Sequence, residues 1–360
     1  VLALGVLGLA RLLRTAEARP ASPTEAELAR AAAIVARSPH SAAALALLGD
    51  KALLFPPRST GPADDGFVMY GVEGRSWIAM GDPVGAPAQR AELAWRFREE
   101  ADRLGAWPVF YQVRAELLPL YIDLGLTFVK LGEEAVVPLR GFTLEGGERK
   151  GLRRMLKDGE KRGMTFEVVE AGAVPALLPR LRAVSDDWLS HKAAREKGFS
   201  LGRFDGAYLR RFPCALVRVG GPHGEIVAFA DLWLGDGQTE CSPDLMRHVA
   251  AAPKGVMDFL FVSLLQWGAR EGFARCNLGM APLAGLTPRH LAPLWTRAGA
   301  LIAQHGETYY NFAGLRAYKE KFPVVWEPRY LASPGGLALP RILANVAALI
   351  AGGLGGVIRR

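Results

Sequence analysis

The residues best suited to chemistry lie in the stretch 305–323, HGETYYNFAGLRAYKEKFP. Glu307, Tyr309 and Asn311 stand in 306–312, which reads as a strand of aromatic residues interrupted by polar ones, and Gly314 ends it. From Leu315 the pattern becomes a short basic helix in which Arg316 and Lys319 sit three apart and project from nearly the same face. A strand that ends in polar groups beside a cationic turn presents an anion site. A second concentration of charge is ERKGLRRMLKDGEKRG at 148–163, with seven basic residues against three acidic. Lys150, Arg153, Arg154, Lys157 and Lys161 follow i, i+3, i+4, i+7, i+11 spacing and form one stripe along a helix. A solvated face would interleave Glu with Lys; this one suits a phosphate backbone or lipid headgroups, because each contact releases counterions without reading a base.

The whole chain agrees with a polyanionic partner. Its 360 residues carry a formal charge of +8, which favours nucleic acid or an anionic membrane surface without choosing between them. Half of the residues are hydrophobic, enough for a large core and two globular domains. Cys214, Cys241 and Cys276 lie far apart with neither pairing nor metal spacing, which points to a reducing compartment. The six histidines show no ligand pattern, and no metal is expected.

The elements that must position these groups alternate along the chain. Residues 1–14, VLALGVLGLARLLR, read as the cut end of a transmembrane helix, with Arg11 and Arg14 marking its cytoplasmic side. A linker and a helix from Thr24 fill 15–40. Strands at 52–55, 66–72 and 76–83, a helix at 88–105, a strand PVFYQV, a helix AELLPLYIDLG and a strand pair LTFVKLGEEAVVPL make a first α/β domain over 41–147. After the basic linking helix, 148–163, a second domain over 164–334 repeats the order. It has a hairpin around Gly220, Gly221 and Gly224, an apolar helix at 253–272 and a strand RCNLGM.

One internal match supports a duplication. Residues 118–134 align without a gap with 292–308, pairing Pro119 with Pro293, Leu120 with Leu294, Gly125 with Gly299, Gly132 with Gly306 and Glu133 with Glu307. Each copy reads as a helix, a glycine cap and a strand hairpin. The tail from 335 to 360 is nearly uncharged between Ile342 and Ile358 and flanked by Arg341, Arg359 and Arg360, so it is expected to lie as a helix on a membrane surface.

Taken together, LALLGDKALLF (45–55), GRSWIAMGDPVG (74–85), SPDLMR (242–247), APKGVMDFLF (252–261), NLGMAPL (277–283) and GETYYNFAGLRAYKEKF (306–322) resemble the catalytic domain of the aminoacyl-phosphatidylglycerol synthases, the bacterial multiple peptide resistance factors. The resemblance covers nearly the whole chain. It implies an α/β tandem pair of N-acetyltransferase-like folds on the cytoplasmic side of the bacterial inner membrane, following a polytopic region that flips the product lipid. It also implies transfer of an aminoacyl group, lysyl on base rate, from aminoacyl-tRNA to a glycerol hydroxyl of phosphatidylglycerol. Transesterification of a ready-made ester needs no cofactor, only positioning, proton removal and oxyanion stabilisation.

The resemblance also assigns roles. Asp244 and Arg247, and Lys319 or Lys321, match positions where the family keeps charged active-site residues. Arg247 and Lys319 are then anion clamps, and Asp244 either binds the aminoacyl amine or orients Arg247. Glu307 is a candidate base, with Tyr309, Asn311, Arg316 and Asp258 around the substrate. Asp258 otherwise serves the N-terminus of its helix. An acyl-CoA transferase is disfavoured, because AAAPKGVMDF lacks the glycine-rich pyrophosphate loop. A tRNA-dependent peptidoglycan cross-bridge transferase and a non-enzymatic membrane-binding module are the remaining alternatives.

Overall fold

The computed structural model describes residues 20–57, 65–191, 196, 198–286 and 312–352. The 1–14 segment, the second repeat copy and Glu307, Tyr309 and Asn311 lie outside them.

Helix α1 (Glu25–Val35) opens with a reciprocal capping box between Thr24 and Glu27. A 3-10 segment over Ser41–Leu48 follows and is buried throughout except at Ala42. Next come β1 (Ala52–Leu54), β2 (Gly66–Glu73), β3 (Ser76–Met80), β4 (Val84–Gly85) and α2 (Pro87–Arg103). Strand β5 (Trp107–Arg114), α3 (Leu118–Asp123) and β6 (Thr127–Pro138) complete the first half. The second half runs α4 (Lys150–Lys161), β7 (Met164–Val169), α5 (Val174–Ser190), α6 (Gly206–Leu209), β8 (Cys214–Val219), β9 (Glu225–Leu234) and β10 (Cys241–His248). It ends with α7 (Val256–Arg270), β11 (Arg275–Pro282), α8 (Phe312–Lys319), β12 (Val325–Ser333) and α9 (Leu339–Ile350).

This is a mixed α/β architecture, as the sequence implied. One mostly antiparallel sheet runs β1-β2-β3-β5-β12-β6-β11-β10-β9-β8-β7, with β4 alongside β2. Strand β12, late in the chain, lies between β5 and β6 and pairs antiparallel with both. Central strands such as β9 (EIVAFADLWL) are apolar on both faces because helices cover both sides: Phe229 and Trp233 meet one core, Ala228, Ala230 and Leu232 another. Helix α7 is buried over most of its length, and α4 packs on it so closely that a Cβ on Gly159 would lie 2.2 Å from the Phe259 ring.

Several expectations are corrected. The strand pair at 126–139 is one continuous strand, β6. Gly132 makes no turn there; it admits a close approach, since a Cβ would sit 2.4 Å from the Ala281 carbonyl oxygen on β11. Gly314 does not end an element but lies inside α8. The apolar face of α9, expected to meet lipid, is used by the core instead. Ile342 and Val346 pack with the residues of β2 and β3, Asn345 Nδ2 donates to Ser76 Oγ at 2.9 Å, and Leu349 rests on Gly71. No described helix is long and apolar enough to cross a membrane.

Candidate functional site

Strands β10 and β11 run parallel but share one register pair, Cys241 with Cys276, before each is interrupted by a bulge. On β10 the shift falls between Pro243 and Met246, so Asp244 and Leu245 together stand opposite the single residue Asp231. On β11 it falls between Asn277 and Met280. Breaking both ladders at the same level exposes backbone groups that side chains must satisfy. The Leu245 N–H donates to Asp231 Oδ1 of β9 at 2.8 Å. Across the opening, Lys319 Nζ donates to the carbonyl oxygens of Gly279 at 2.8 Å and Met280 at 3.1 Å.

Asp244 and Arg247 leave the β10 bulge toward α5 and α6. Asp244 accepts from the Gly202 N–H at 3.0 Å and the Tyr208 hydroxyl at 3.3 Å, and Tyr208 in turn accepts from Trp233 Nε1 at 2.8 Å. Burial raises the Asp244 carboxyl to about 6, against the pull of these two donors and of Lys51 and Arg247. Asp231 is fully buried and its carboxyl is pushed well above the usual range, first by burial and then by Asp244. Arg247 donates to Glu196 Oε1 at 3.1 Å and stacks on Trp188, 3.9 Å from the ring centroid. Its Nε–H is buried without a partner among the described residues.

Lys319 is 6% exposed, and burial brings its ammonium down to about 8, with Glu134 opposing the shift. Glu134 belongs to a second charged group, which lines a cleft of about 680 Å³ between β3, β5, β6, β11 and β12. There Arg114 meets Asp82 at 2.8 Å, Arg275 meets Glu240 at 2.8 Å and Glu327 at 2.9 Å, and Arg329 pairs with Glu134. His40, beside Arg114, is held down to about 3 by burial and the surrounding arginines, so its imidazole is neutral.

The other expected site residues are dispersed. Arg316 and Lys319 do not converge on one anion: Lys319 turns into the β11 bulge, while Arg316 pairs with Glu133 at 2.9 Å and Glu320 at 2.8 Å and lies over Trp326. Lys321 pairs with Asp258 at 3.1 Å in the first turn of α7, apart from the groups on β10. Asp258 is not the cap of that helix; Gly255 occupies that position. In the basic stripe Lys150, Arg154, Lys157 and Lys161 are exposed. Arg153 is diverted to the carbonyl oxygens of Leu144 and Gly146.

Lys51, Asp231, Glu196 and Tyr208 were not singled out from sequence. For two of them a signal existed. Lys51 interrupts the apolar run LALLGDKALLF, and Asp231 is the lone carboxylate in IVAFADLWL. A charge amid core residues marks a group with a buried partner.

The family model for the C-terminal region of phosphatidylglycerol lysyltransferase matches residues 32–333. The phosphatidylglycerol lysyltransferase of Bacillus subtilis is 40% identical over 288 residues, which are 80% of this chain and 33% of that protein. The chain thus spans about a third of the length of such curated relatives. Among solved structures, the C-terminal domain assigned to a lysylphosphatidylglycerol synthetase of Agrobacterium fabrum is 43% identical with a TM-score of 0.80, covering 91% of this chain and 98% of that one. L-PGS from Bacillus licheniformis is 36% identical with a TM-score of 0.77, covering 92% and 98%.

Proposed function

The chain belongs to the phosphatidylglycerol lysyltransferase C-terminal family, and from that premise we propose that it transfers a lysyl group from its tRNA ester to a glycerol hydroxyl of phosphatidylglycerol. The observation that carries the reading is Arg247. It is a stacked, oriented guanidinium with a buried donor unfilled among the described residues, on the same bulged strand as the carboxylate of Asp244.

In the reaction the glycerol oxygen bonds to the ester carbonyl carbon, the bond from that carbon to the tRNA ribose oxygen breaks, and one proton passes from glycerol hydroxyl to ribose oxygen. With its carboxyl near 6, Asp244 is mostly ionised at neutral pH and suited to bind the ammonium of the aminoacyl group. Arg247 supplies a fixed positive field for the oxyanion or the lipid phosphate. Lys319, near 8, holds or releases a proton at neutral pH and is suited to relay the one in transit. The exposed stripe of α4 supplies a surface for tRNA phosphates or the anionic membrane. The product is a cationic lipid, which would weaken attraction between the membrane and cationic antimicrobial peptides.

The test is incubation of the protein with phosphatidylglycerol vesicles and a mixture of labelled aminoacyl-tRNAs, followed by lipid extraction. Label in a lipid made by the wild type and not by Arg247→Ala supports the reading. Intact, bound aminoacyl-tRNA with no labelled lipid rejects the acceptor and directs the assay to peptidoglycan precursors.

A further inference from the structure

Glu196 and residues 198–204 lie across the mouth of the β10 bulge as a strap. Every anchor of this strap has a partner that matters. Glu196 Oε1 accepts from Arg247 Nη2 at 3.1 Å and from the Phe204 N–H at 3.2 Å, so one carboxylate holds the guanidinium and closes the strap on itself. The Gly202 N–H donates to Asp244 Oδ1, and a Cβ on Gly202 would lie 1.8 Å from Asp244 Oδ2, so the carboxylate sits directly on the glycine backbone. The Gly198 N–H donates to the Ile350 carbonyl oxygen at 3.2 Å, where α9 ends.

The remaining anchors come from the first half of the chain. Arg203 pairs with Asp50 at 3.6 Å. The buried Phe199, held at a left-handed φ of 61°, places its ring 5.9 Å from Lys51 Nζ. Lys51 is only 1% exposed, and its ammonium meets Asp50 at 2.5 Å. A buried cation is retained only where carboxylates compensate its desolvation. Burial pulls the Lys51 ammonium below its ordinary range; opposing it are Asp50, shared with the half-buried Arg203, and then Asp244.

We infer that the strap is the positioning element for Asp244 and Arg247, and that Lys51 is the counter-charge, supplied by the first half of the chain, that keeps Asp244 a carboxylate. The inference rests on the reading of those two residues as substrate-handling groups, and it adds a role for the LALLGDKALLF segment. The groups facing Asp244 are Arg247 from its own strand, Asp231 from β9, Tyr208 from α6, Gly202 from the strap and Lys51 from the turn before β1. Burial opposes its ionisation; Gly202, Tyr208, Lys51 and Arg247 favour it.

The experiment is a carboxyl-carbon NMR titration of the whole chain labelled at aspartate, with the Asp244 signal identified by its absence in Asp244→Asn. Lys51→Met, close to isosteric, should move the Asp244 titration upward by about one pH unit, the size expected for loss of a nearby opposite charge. Gly202→Ala should move it upward as well, by displacing the donor. An unchanged Asp244 titration in a folded Lys51→Met protein overturns the counter-charge role. Should Lys51→Met not fold, Glu196→Ala, at a half-buried position, tests the strap: kcat for lipid labelling should fall at least tenfold with little change in KM or Tm. Wild-type kcat in that variant overturns the positioning role. Absence of lipid labelling by the wild type would reject the proposed reaction and leave the titration to decide this one.

Discussion

The Leu245 N–H and the Asp231 carboxyl oxygen Oδ1, 2.8 Å apart, hold the β10 bulge open from the neighbouring strand. The bond uses only one oxygen; Oδ2 of Asp231 is buried without a partner among the described residues. With its carboxyl pushed well above the usual range, Asp231 enters the fold protonated. In the unfolded chain it ionises near 4, so its burial weakens the fold increasingly as pH rises from there toward the native value. Asp231→Asn keeps the acceptor and removes that dependence. It should raise Tm by about 1–3 °C at pH 8 and by less at pH 4.5, as read by calorimetry.

Arg247 is held by Glu196 and Trp188 together, so charge alone does not replace it. Arg247→Ala should lower kcat/KM for lipid labelling by about a hundredfold or more, in the range of a lost oxyanion donor. Arg247→Lys should recover little of it, because a lysine can neither stack as a plane on Trp188 nor hold one donor on Glu196 while fixing others in the guanidinium plane. A Lys variant with near wild-type rates would sink the geometric account.

Lys319 carries opposite consequences for activity and stability. Its native value of about 8 lies below that of a free lysine, so the unfolded chain binds more protons between about 8 and 10.5 and stability rises with pH across that window. Lys319→Met should therefore melt higher than the wild type at pH 7 while abolishing lipid labelling and its pH limb near 8. Equal or lower Tm would show that the two carbonyl bonds at the β11 bulge outweigh the desolvation.

Replacing Lys150, Arg154, Lys157 and Lys161 together by Gln should leave Tm within about 1 °C, since all four are exposed. It should reduce the slope of log K against log salt for aminoacyl-tRNA or anionic vesicles by about three. Arg153→Ala should behave differently, losing stability through the carbonyl oxygens of Leu144 and Gly146 and changing the salt slope little.

Gly159→Ala should destabilise by about 1–3 kcal/mol in urea unfolding, because the added carbon must displace the Phe259 ring between α4 and α7. Lipid labelling measured well below the transition should persist, as neither residue reaches the β10 bulge.

How much of this was legible in the sequence depended on whether a residue's role is local. The capping box at Thr24, the apolar run of α7 and the basic stripe of α4 follow from spacing, and all were readable. The elements misread were those in which a distant strand sets the meaning. Gly132 looks like a turn until β11 is laid beside it, and the apolar face of α9 looks like a membrane face until β2 and β3 cover it. At the proposed site, Asp244 and Arg247 are singled out through the motif that contains them. Lys51 shows only as a charge inside an apolar run, and Glu196, whose partner Arg247 lies far away in the chain, has no local pattern to betray it.

The insertion of β12 between β5 and β6 bears on how the protein is made. A ribosome releases β5 and β6 long before β12, and until it arrives each of those strands has a bare edge facing where the other's partner will be. The first half can thus assemble only provisionally during synthesis, and its completion awaits Ser333. A nonsense mutation or a proteolytic cut anywhere before 325 would do more than remove the tail: it would leave a gap in the middle of the sheet. Such products would be targets for chaperones and proteases, and a shortened chain would be expected to aggregate through β5 and β6 while the intact chain does not.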